Sequence, residues 1–202
     1  VGLKVVDLTT VVAGNFTCSM LADFGAEVVK AEHPDGGDPS RRHVPMKNGV
    51  SLPHKVLGRN KKSITLDLRK PEGAELLKQL VEKSDVLVEN FQPGTLEKWG
   101  LGWDVLKARN PRLVMVRISA YGQTGPYSPK PGFGRIANAF GGISFLAGFP
   151  DRPPVTPGSA TLPDYMAGIY GALGAMFALR ALDQTGEGQV VDIGLYEPIF
   201  RI

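Results

Sequence analysis

The chain has 202 residues, of which 43% are hydrophobic and 21% charged, so it is long enough to bury one sizeable core. Its net charge of +3 comes without a dense block of Lys and Arg, which argues against a nucleic-acid-binding protein but suits one that holds a small polyanion. The single cysteine, Cys18, excludes an internal disulfide and a cysteine-only metal site and favours a reducing, cytoplasmic setting. We see neither a signal peptide nor an unbroken apolar run of about 18 residues, and we expect no membrane contact.

Strand-like and helix-like segments alternate in the first half of the chain. Short runs rich in Val, Ile and Leu predict strands, and small apolar stripes between them predict helices. The predicted strands are 3–9, 26–32, 62–68, 85–90 and 112–119, and the predicted helices are 18–25 and one that starts at Pro71. We expect the polar segment 33–49 to be a long surface loop. This alternation predicts βαβ units and a parallel sheet, and so an α/β fold.

The second half of the chain is richer in Gly and Ala. Helices are predicted over 132–148 and 164–182, and a last strand over 189–195. The chain stops within an apolar segment without a polar tail. We therefore expect the 202 residues to be the N-terminal part of a longer protein.

Three predicted strand ends carry groups that suit a nucleotide, because ligands of open parallel sheets collect at the carboxyl ends of the strands. The first strand leads into 9–17, which contains Gly14, and the third is followed by Arg69. Asn90 and Phe91 follow the fourth strand. Cations, an amide and an aromatic face are what phosphates and an adenine ring require.

Simpler interpretations compete with this site. Arg59, Lys61 and Lys62 are typical of a solvated loop, and Phe91 is as easily a core residue. Gly14 alone is not the G-x-G-x-x-G signature of a dinucleotide site. Glu32, about twenty residues later, nevertheless resembles the acidic ribose ligand of such sites and leaves a nicotinamide-binding fold open.

Asp164 is the one charged residue between Thr156 and Met176. Its position predicts a helix N-cap, where a carboxylate suits the positive end of the helix dipole. An exposed Asp is ionised at pH 7, because its ordinary pKa is about 3.9, and it needs no general base to act as a nucleophile. Attack on a thioester would give a mixed anhydride and then an aspartyl thioester. Backbone N–H groups of 13–15 or 140–142 could stabilise the oxyanion. His33, His43 and His54 lie in polar segments and do not suggest a metal site.

Six stretches in one order carry a resemblance that covers essentially the whole chain. They are LKVVDLTTVVAG, LADFGAEVVKAEHPDGGDPSR, NKKSITLDLRKPEG, DVLVENFQPGTLEKWGLG, YGQTGPYSPKPGF and TGEGQVVDIGLYE. Together they resemble the class III (CaiB/BaiF) coenzyme A transferases, the family of formyl-CoA transferase and carnitine CoA-transferase.

The resemblance implies a Rossmann-like CoA-binding large domain over 1–185. Residues 186–202 would then be its last strand and the start of a linker to a smaller domain. It also implies an interlocked homodimer that acts on acyl-CoA and a small carboxylic acid, with no metal, nucleic acid or membrane partner. The family's nucleophilic aspartate falls on Asp164. Its CoA contacts fall on Ala13, Leu68, Arg69, Asn90 and Phe91, and a family arginine is replaced by Lys98.

Departures from the family's pattern concern the acyl end of the site. Val12 stands where the formyl enzyme has Gln, and Asn15 stands where the family usually has Pro, so Val12, Asn15 and Phe133 are expected to bind substrate. His33 replaces a family arginine and weakens that contact. Phe133 and Gly134 replace the His-Asp pair of the acyl-CoA racemases, which argues against racemisation. A CoA-thioester racemase or isomerase of the same fold and a non-covalent nucleotide-binding module remain the alternatives to a CoA transferase.

Overall fold

The computed structural model describes residues 2–202 and contains eight strands and nine α-helices within them. The strands are β1 (Lys4–Asp7), β2 (Glu27–Glu32), β3 (Met46–Lys47), β4 (Val50–Ser51), β5 (Lys61–Thr65), β6 (Val86–Glu89), β7 (Val114–Ser119) and β8 (Val190–Gly194). The helices are α1 (Ala13–Asp23), α2 (Leu52–Leu57), α3 (Pro71–Val81), α4 (Thr95–Lys98), α5 (Trp103–Arg109), α6 (Gly134–Phe140), α7 (Ile143–Leu146), α8 (Leu162–Thr185) and α9 (Tyr196–Phe200). A 3₁₀ helix covers Pro39–Arg42.

Six strands form one parallel sheet in the order β5-β2-β1-β6-β7-β8. The register places Val5 opposite Val28 on one side and Val86 on the other. The chain builds outward from β1 to β5 first, and then from β6 to β8 on the opposite side. The strand order therefore reverses between β1 and β6, and a crevice opens there beyond the carboxyl ends of the strands. The prediction of a Rossmann-like α/β fold is confirmed.

Both faces of the sheet are buried, because consecutive strand residues point to opposite sides. Val5 packs on the α1 and α8 side, and Val6 packs on the α3 side. The same alternation places Val116 with the first cluster and Met115 with the second. Burial on two sides explains why the strands read as nearly continuous apolar runs.

Small residues let α8 lie directly against α1. A Cβ on Gly168 would lie 2.8 Å from the Ala13 carbonyl oxygen, and one on Gly171 would lie 2.5 Å from Thr17 Oγ1. Thr17 Oγ1 donates to the Gly168 carbonyl at 3.0 Å. By length and composition alone α8 could cross a membrane, but its Gly and Ala face packs on α1 and the sheet, as in the core helix of a globular domain.

The structure differs from the predicted elements in several places, and α2, α4, α5, β3 and β4 were not predicted. The first helix begins at Ala13 rather than residue 18. The 33–49 segment is not a plain surface loop, because Asp38 and Ser40 are buried within it. Lys61 belongs to β5 and its side chain is buried, so the solvated loop expected there is wrong for Lys61, whereas the side chains of Arg59 and Lys62 are exposed. The helix expected over 132–148 is divided at Gly142, whose φ of 86° interrupts α-helical geometry.

The last strand is part of the main sheet. β8 pairs in parallel with β7, from Met115 opposite Val190 to Ser119 opposite Gly194. A domain boundary at residue 185 would therefore separate β8 from the sheet that it completes.

Candidate active site

A cleft of about 270 Å³ lies at the carboxyl ends of β1, β2, β5 and β6, beside the reversal of strand order. Leu68, Arg69 and Phe91, three of the predicted CoA contacts, line it. They come from two separate loops, and the parallel sheet brings them together because its strands all end at one edge.

One side of this cleft is aromatic. Phe91 and Trp99 pack edge to face with ring centroids 5.3 Å apart, and both rings line the cleft. The sequence analysis missed Trp99, although it directly follows the predicted contact Lys98. Lys98 itself is exposed and is not part of the cleft lining. The pair provides a surface on which a planar base can stack.

The rim of the cleft carries Arg69, Asp67 and His33. Arg69 Nε donates to Asp67 Oδ1 at 2.8 Å, and its Nη2 contacts His33 Nε2. The hydrogen bonds from Arg69 lower the pKa of Asp67 to about 2. Arg69 remains more than half exposed, so its guanidinium is accessible to an anion at the rim.

Asn90 links the loops that follow β1 and β6. Its Oδ1 accepts from the Thr10 N–H at 2.8 Å, and its Nδ2 donates to the Thr10 carbonyl at 2.8 Å. Asn90 and Phe91 also line a second cleft of about 200 Å³, together with Phe133. Phe133, which directly precedes Gly134, extends this surface toward the first turn of α8.

Asp164 lies in the first turn of α8 but does not cap it. Thr161 occupies the N-cap position, and the Asp164 carboxylate receives no hydrogen bond or ion pair from another of the described residues. The prediction of an exposed capping residue is therefore wrong. Burial disfavours the ionised form and raises the pKa of Asp164 to about 6. A Cβ on Gly134 would overlap both Asp164 Oδ2 and the Ala160 carbonyl oxygen, so this approach requires glycine.

The first turn of α1 packs against α8 just beyond Asp164. Ala13 touches α8 at Gly168, one turn beyond Asp164, and Phe16 packs on Tyr165 with centroids 4.9 Å apart. The N–H groups of 13–15 have no backbone acceptor among residues 2–202 and point out of the helix start. The alternative donors at 140–142 do not fit, because Gly141 and Gly142 donate to Ala137 and Ala139.

Three other residues were predicted to contact a ligand, but their polar atoms are already hydrogen-bonded or their side chains are buried. They are Asn15, Val12 and Glu32. Asn15 is 1% exposed, and its Nδ2 donates to Asp38 Oδ2 at 2.7 Å, which does not fit direct substrate contact. Val12 is buried at the start of α1. Both Glu32 oxygens bind Arg41 at 2.7 Å, which leaves no free ribose ligand. Although burial favours its neutral form, hydrogen bonds from Arg41, the Asp38 N–H and Ser63 lower the pKa of Glu32 to about 2.

Comparison with known proteins identifies the family of the chain. The model of CoA-transferase family III matches residues 1–202. The chain is 57% identical over 201 residues to the succinyl-CoA–L-malate CoA-transferase beta subunit of Chloroflexus aurantiacus, covering 99% of this chain and 50% of that protein. It is 52% identical to the succinyl-CoA–D-citramalate CoA-transferase of the same organism, covering 99% and 50%. The crystal structure of a CaiB/BaiF family protein from Brucella suis superposes with a TM-score of 0.92 at 38% identity, covering 99% of this chain and 54% of that one.

The chain spans about half the length of the curated relatives that it matches. The match extends over the whole of the sheet and both clefts. This chain therefore belongs to CoA-transferase family III.

Proposed function

We propose that the protein transfers CoA from an acyl-CoA donor to a free carboxylic acid, with Asp164 as the covalent nucleophile. The observation that carries the proposal is a half-buried carboxylate without a cationic partner among the described residues, beside a glycine that leaves its Oδ2 accessible. A carboxylate paired with Arg or Lys would be a weaker nucleophile. The raised pKa of about 6 still leaves Asp164 mostly ionised at neutral pH.

The reaction proceeds in four balanced steps. The Asp164 carboxylate attacks the donor thioester carbonyl, the C–S bond breaks, and a mixed anhydride and CoA thiolate form. The thiolate attacks the Asp164 carbonyl and releases the donor acid, leaving an aspartyl-CoA thioester. The acceptor carboxylate attacks that thioester and expels the thiolate again. The thiolate then attacks the acceptor carbonyl, which gives the new acyl-CoA and free Asp164. No proton is consumed overall.

The first cleft supports CoA binding. In our proposal the adenine stacks on the surface that Phe91 and Trp99 form together, and Arg69 meets a phosphate at the rim. Leu68 packs along the nucleotide. Asn90 lines the second cleft and fixes Thr10, which lines the first, by hydrogen bonds. Lys98 is exposed and lies outside the cleft lining, so in our proposal it approaches a phosphate from outside the cleft. Binding the nucleotide end orients the thioester for attack, since fixed geometry replaces a bimolecular encounter.

The start of α1 suits the oxyanion that forms at each attack. Its N–H groups at 13–15 are free of backbone acceptors among residues 2–202, and Ala13 packs against the α8 turn that follows Asp164. Preorganised N–H donors of this kind contribute about 3 kcal/mol to transition-state stabilisation in enzymes that transfer acyl groups. Val12 and Phe133 would then limit the size of the acyl group.

The acid substrate is proposed to be a small dicarboxylate, because relatives are named for succinyl-CoA, malate and citramalate. We further propose a cytoplasmic homodimer, in which the partner subunit completes the site, and a reaction that needs neither metal nor nucleic acid.

Trapping the intermediate tests the proposal. The full-length protein incubated with an acyl-CoA and then with hydroxylamine should yield a hydroxamate on the peptide that carries Asp164, detected by mass spectrometry. The Asp164→Asn variant should yield none while still binding CoA. A non-covalent module would give no adduct, and a racemase would exchange the substrate α-proton with deuterium from solvent instead. Either result would overturn the proposal.

A further inference from the structure

Four charged side chains and one amide are buried together beneath the turn that joins β1 to α1. This buried charge cluster consists of Asp7, Lys30, Asp38, Lys61 and Asn15, and both lysine side chains are only 2% exposed. Lys30 Nζ lies 3.0 Å from Asp38 Oδ2 and 3.6 Å from Asp7 Oδ1. Lys61 Nζ lies 2.9 Å from Asp7 Oδ2. Two cations balance two carboxylates, so the cluster is neutral as a whole.

Asn15 connects the two halves of the cluster. Its Nδ2 donates to Asp38 Oδ2 at 2.7 Å, and its Oδ1 accepts from Lys61 Nζ at 3.2 Å. The same Nδ2 donates to the Val11 carbonyl at 3.1 Å. The Asn15 amide therefore supplies a donor to the Asp38 carboxylate and an acceptor to the Lys61 ammonium group. Neither an Asp at position 15 nor an Asn at position 38 would preserve this arrangement.

The turn held by this cluster has a strained backbone. Val11 adopts a φ of 64°, in the left-handed region that a β-branched residue strongly disfavours. Its N–H donates to Asp38 Oδ1 at 3.1 Å, and Lys30 Nζ donates to the Thr9 carbonyl at 2.6 Å. Thr9 N also donates to Asp7 Oδ1 at 2.9 Å. Strain of this kind persists only where surrounding contacts over-determine the conformation.

The turn leads directly into the start of α1. Val12 is the N-cap residue of α1, and Ala13 touches α8 one turn beyond Asp164. On the other side, Thr10 is clamped by Asn90 and lines the nucleotide cleft. A change in the shape of the turn would therefore move the α1 N–H groups relative to Asp164. Phe91 and Trp99 are held separately, by the Glu89–Arg117 pair and by their own edge-to-face contact.

We infer that the buried charge cluster is a positioning device, in which Asp38 and Asn15 hold Val11 in its strained conformation and so aim the start of α1 at the reacting carbonyl. Asp38 and Asn15 are positioning residues and do not touch the substrate's reacting atoms. The catalytic readout of this inference rests on the proposed function, whereas its structural readout does not.

Asp38→Asn tests the inference because it keeps the shape of the side chain. The variant places two NH₂ groups opposite each other and leaves Lys30 short of one counter-charge. We expect faster hydrogen–deuterium exchange in the peptide containing Val11, measured by mass spectrometry. The single-turnover rate of thioester formation on Asp164 should fall at least about tenfold. The Kd of 3′-phospho-ADP should rise by a smaller factor than the rate falls, because Asp38 and Thr10 line the cleft but the Arg69 and Phe91 loops are intact. Asp23→Asn, which breaks an exposed pair with Arg59, is the matched control.

Exchanging the two groups supplies a second test. Asn15→Asp alone brings two carboxylates together and should be the more damaging single change. The double variant Asn15→Asp with Asp38→Asn restores neutrality and a donor opposite an acceptor between positions 15 and 38, but not the donor to the Val11 carbonyl. It should therefore form the thioester faster than Asn15→Asp and more slowly than the unmodified protein. The inference is overturned if the double variant is worse than both, or if Asp38→Asn leaves exchange at Val11 unchanged. It is also overturned if rate and nucleotide binding fall together with the folded fraction. Absence of the adduct in the unmodified protein would instead contradict the proposed function alone.

Discussion

The raised pKa of Asp164 is caused by its surroundings at the start of α8. Burial raises its pKa to about 6, and no positive charge within the described residues offsets that effect. Gly134 removes the one Cβ that would press on the carboxylate. The environment of Asp164 therefore controls both its charge and its accessibility, and each can be tested separately.

The rate should depend on the ionisation of Asp164. Only the carboxylate is a nucleophile, so kcat/KM is expected to rise with pH through about 6 and to level off above about 7. Initial rates between pH 5 and 8 with saturating acceptor measure this profile. A rate that is flat across this range would show that Asp164 ionisation does not limit the reaction.

The same carboxylate should destabilise the fold at neutral pH. Its pKa is raised from 3.8 to about 6 on folding, so any stability contributed by its neutral form is lost as the pH rises through about 6. Allowing for partial exposure, Asp164→Asn should raise the free energy of unfolding by about 1–2 kcal/mol at pH 8. It should change nothing at pH 4. Denaturant titrations at both pH values test this, and equal effects at the two would contradict it.

Gly134 should be intolerant of even one methyl group. Gly134→Ala would press on Asp164 Oδ2 and the Ala160 carbonyl, so we expect kcat to fall at least about tenfold while the Kd for CoA changes little. Gly148→Ala is the matched control, because its nearest neighbours would lie at ordinary contact distances of 3.4 Å or more. Equal activity of the two variants would indicate that Asp164 does not react at this position.

At the scale of elements, buried ion pairs hold the loops at the carboxyl ends of the strands. Arg117 on β7 donates from Nε to Glu89 at 2.6 Å and from Nη1 to Glu97 at 2.8 Å. Glu89 in turn accepts from the Phe91 N–H at 2.8 Å. Burial raises the pKa of Glu89 despite the facing guanidinium. The position of the aromatic side of the cleft thus depends on a charge on the neighbouring strand.

Removing Arg117 should therefore lower the free energy of unfolding much more than removing an exposed arginine. Arg117→Met leaves the buried Glu89 unpaired and should lower the free energy of unfolding by about 3 kcal/mol. The Kd for CoA should also rise as Phe91 moves. Arg109→Met, which breaks exposed pairs with Glu75 and Glu82, should have a far smaller effect on both quantities. Chemical denaturation and calorimetric CoA titration compare the two variants, and similar losses would argue against the ion pair as the cause.

At the scale of the whole molecule, one side of the chain exposes an extensive apolar surface. A groove of about 650 Å³ lies between α8, β8 and α9, and it includes Leu173, Phe177 and Phe200. Phe177 is 66% exposed and Phe200 78% exposed. Apolar surface of this extent is rare on a monomer that stays free in solution.

Residues 1–202 expressed alone are consequently expected to self-associate and to bind an apolar dye. Light scattering across a concentration series and dye fluorescence per mole measure both properties. Replacing Leu173 and Phe177 together by Ser should reduce them, because these side chains form the groove. Phe24→Ser is the control, since Phe24 is exposed outside the groove. A monomeric, dye-negative chain would contradict the expectation.

Local sequence patterns were sufficient for most strands of the sheet and for some of the residues that line the cleft at the strand ends. Apolar runs of four to six residues predicted β1, β2, β6 and β7 because strands buried on both faces leave that pattern. Arg69 and Phe91 could be named because a parallel sheet gathers the ends of its strands at one edge, whereas Leu68 was named only from the family resemblance; all three line the cleft. Asp164 stood out because it is the one charge in a run of small apolar residues, and burying an unpaired charge costs free energy that a structural role alone does not explain.

The charge balance under the active site was decided only by the tertiary structure. Lys61 looks like a solvated loop residue, yet it is buried against Asp7, which is 54 residues away in the chain. The strain at Val11 and the surroundings of Asp164 likewise depend on segments distant in sequence. Local patterns report how a segment sits relative to solvent. Desolvation and ion pairing depend instead on which segments come into contact, and those contacts are formed only in the folded chain.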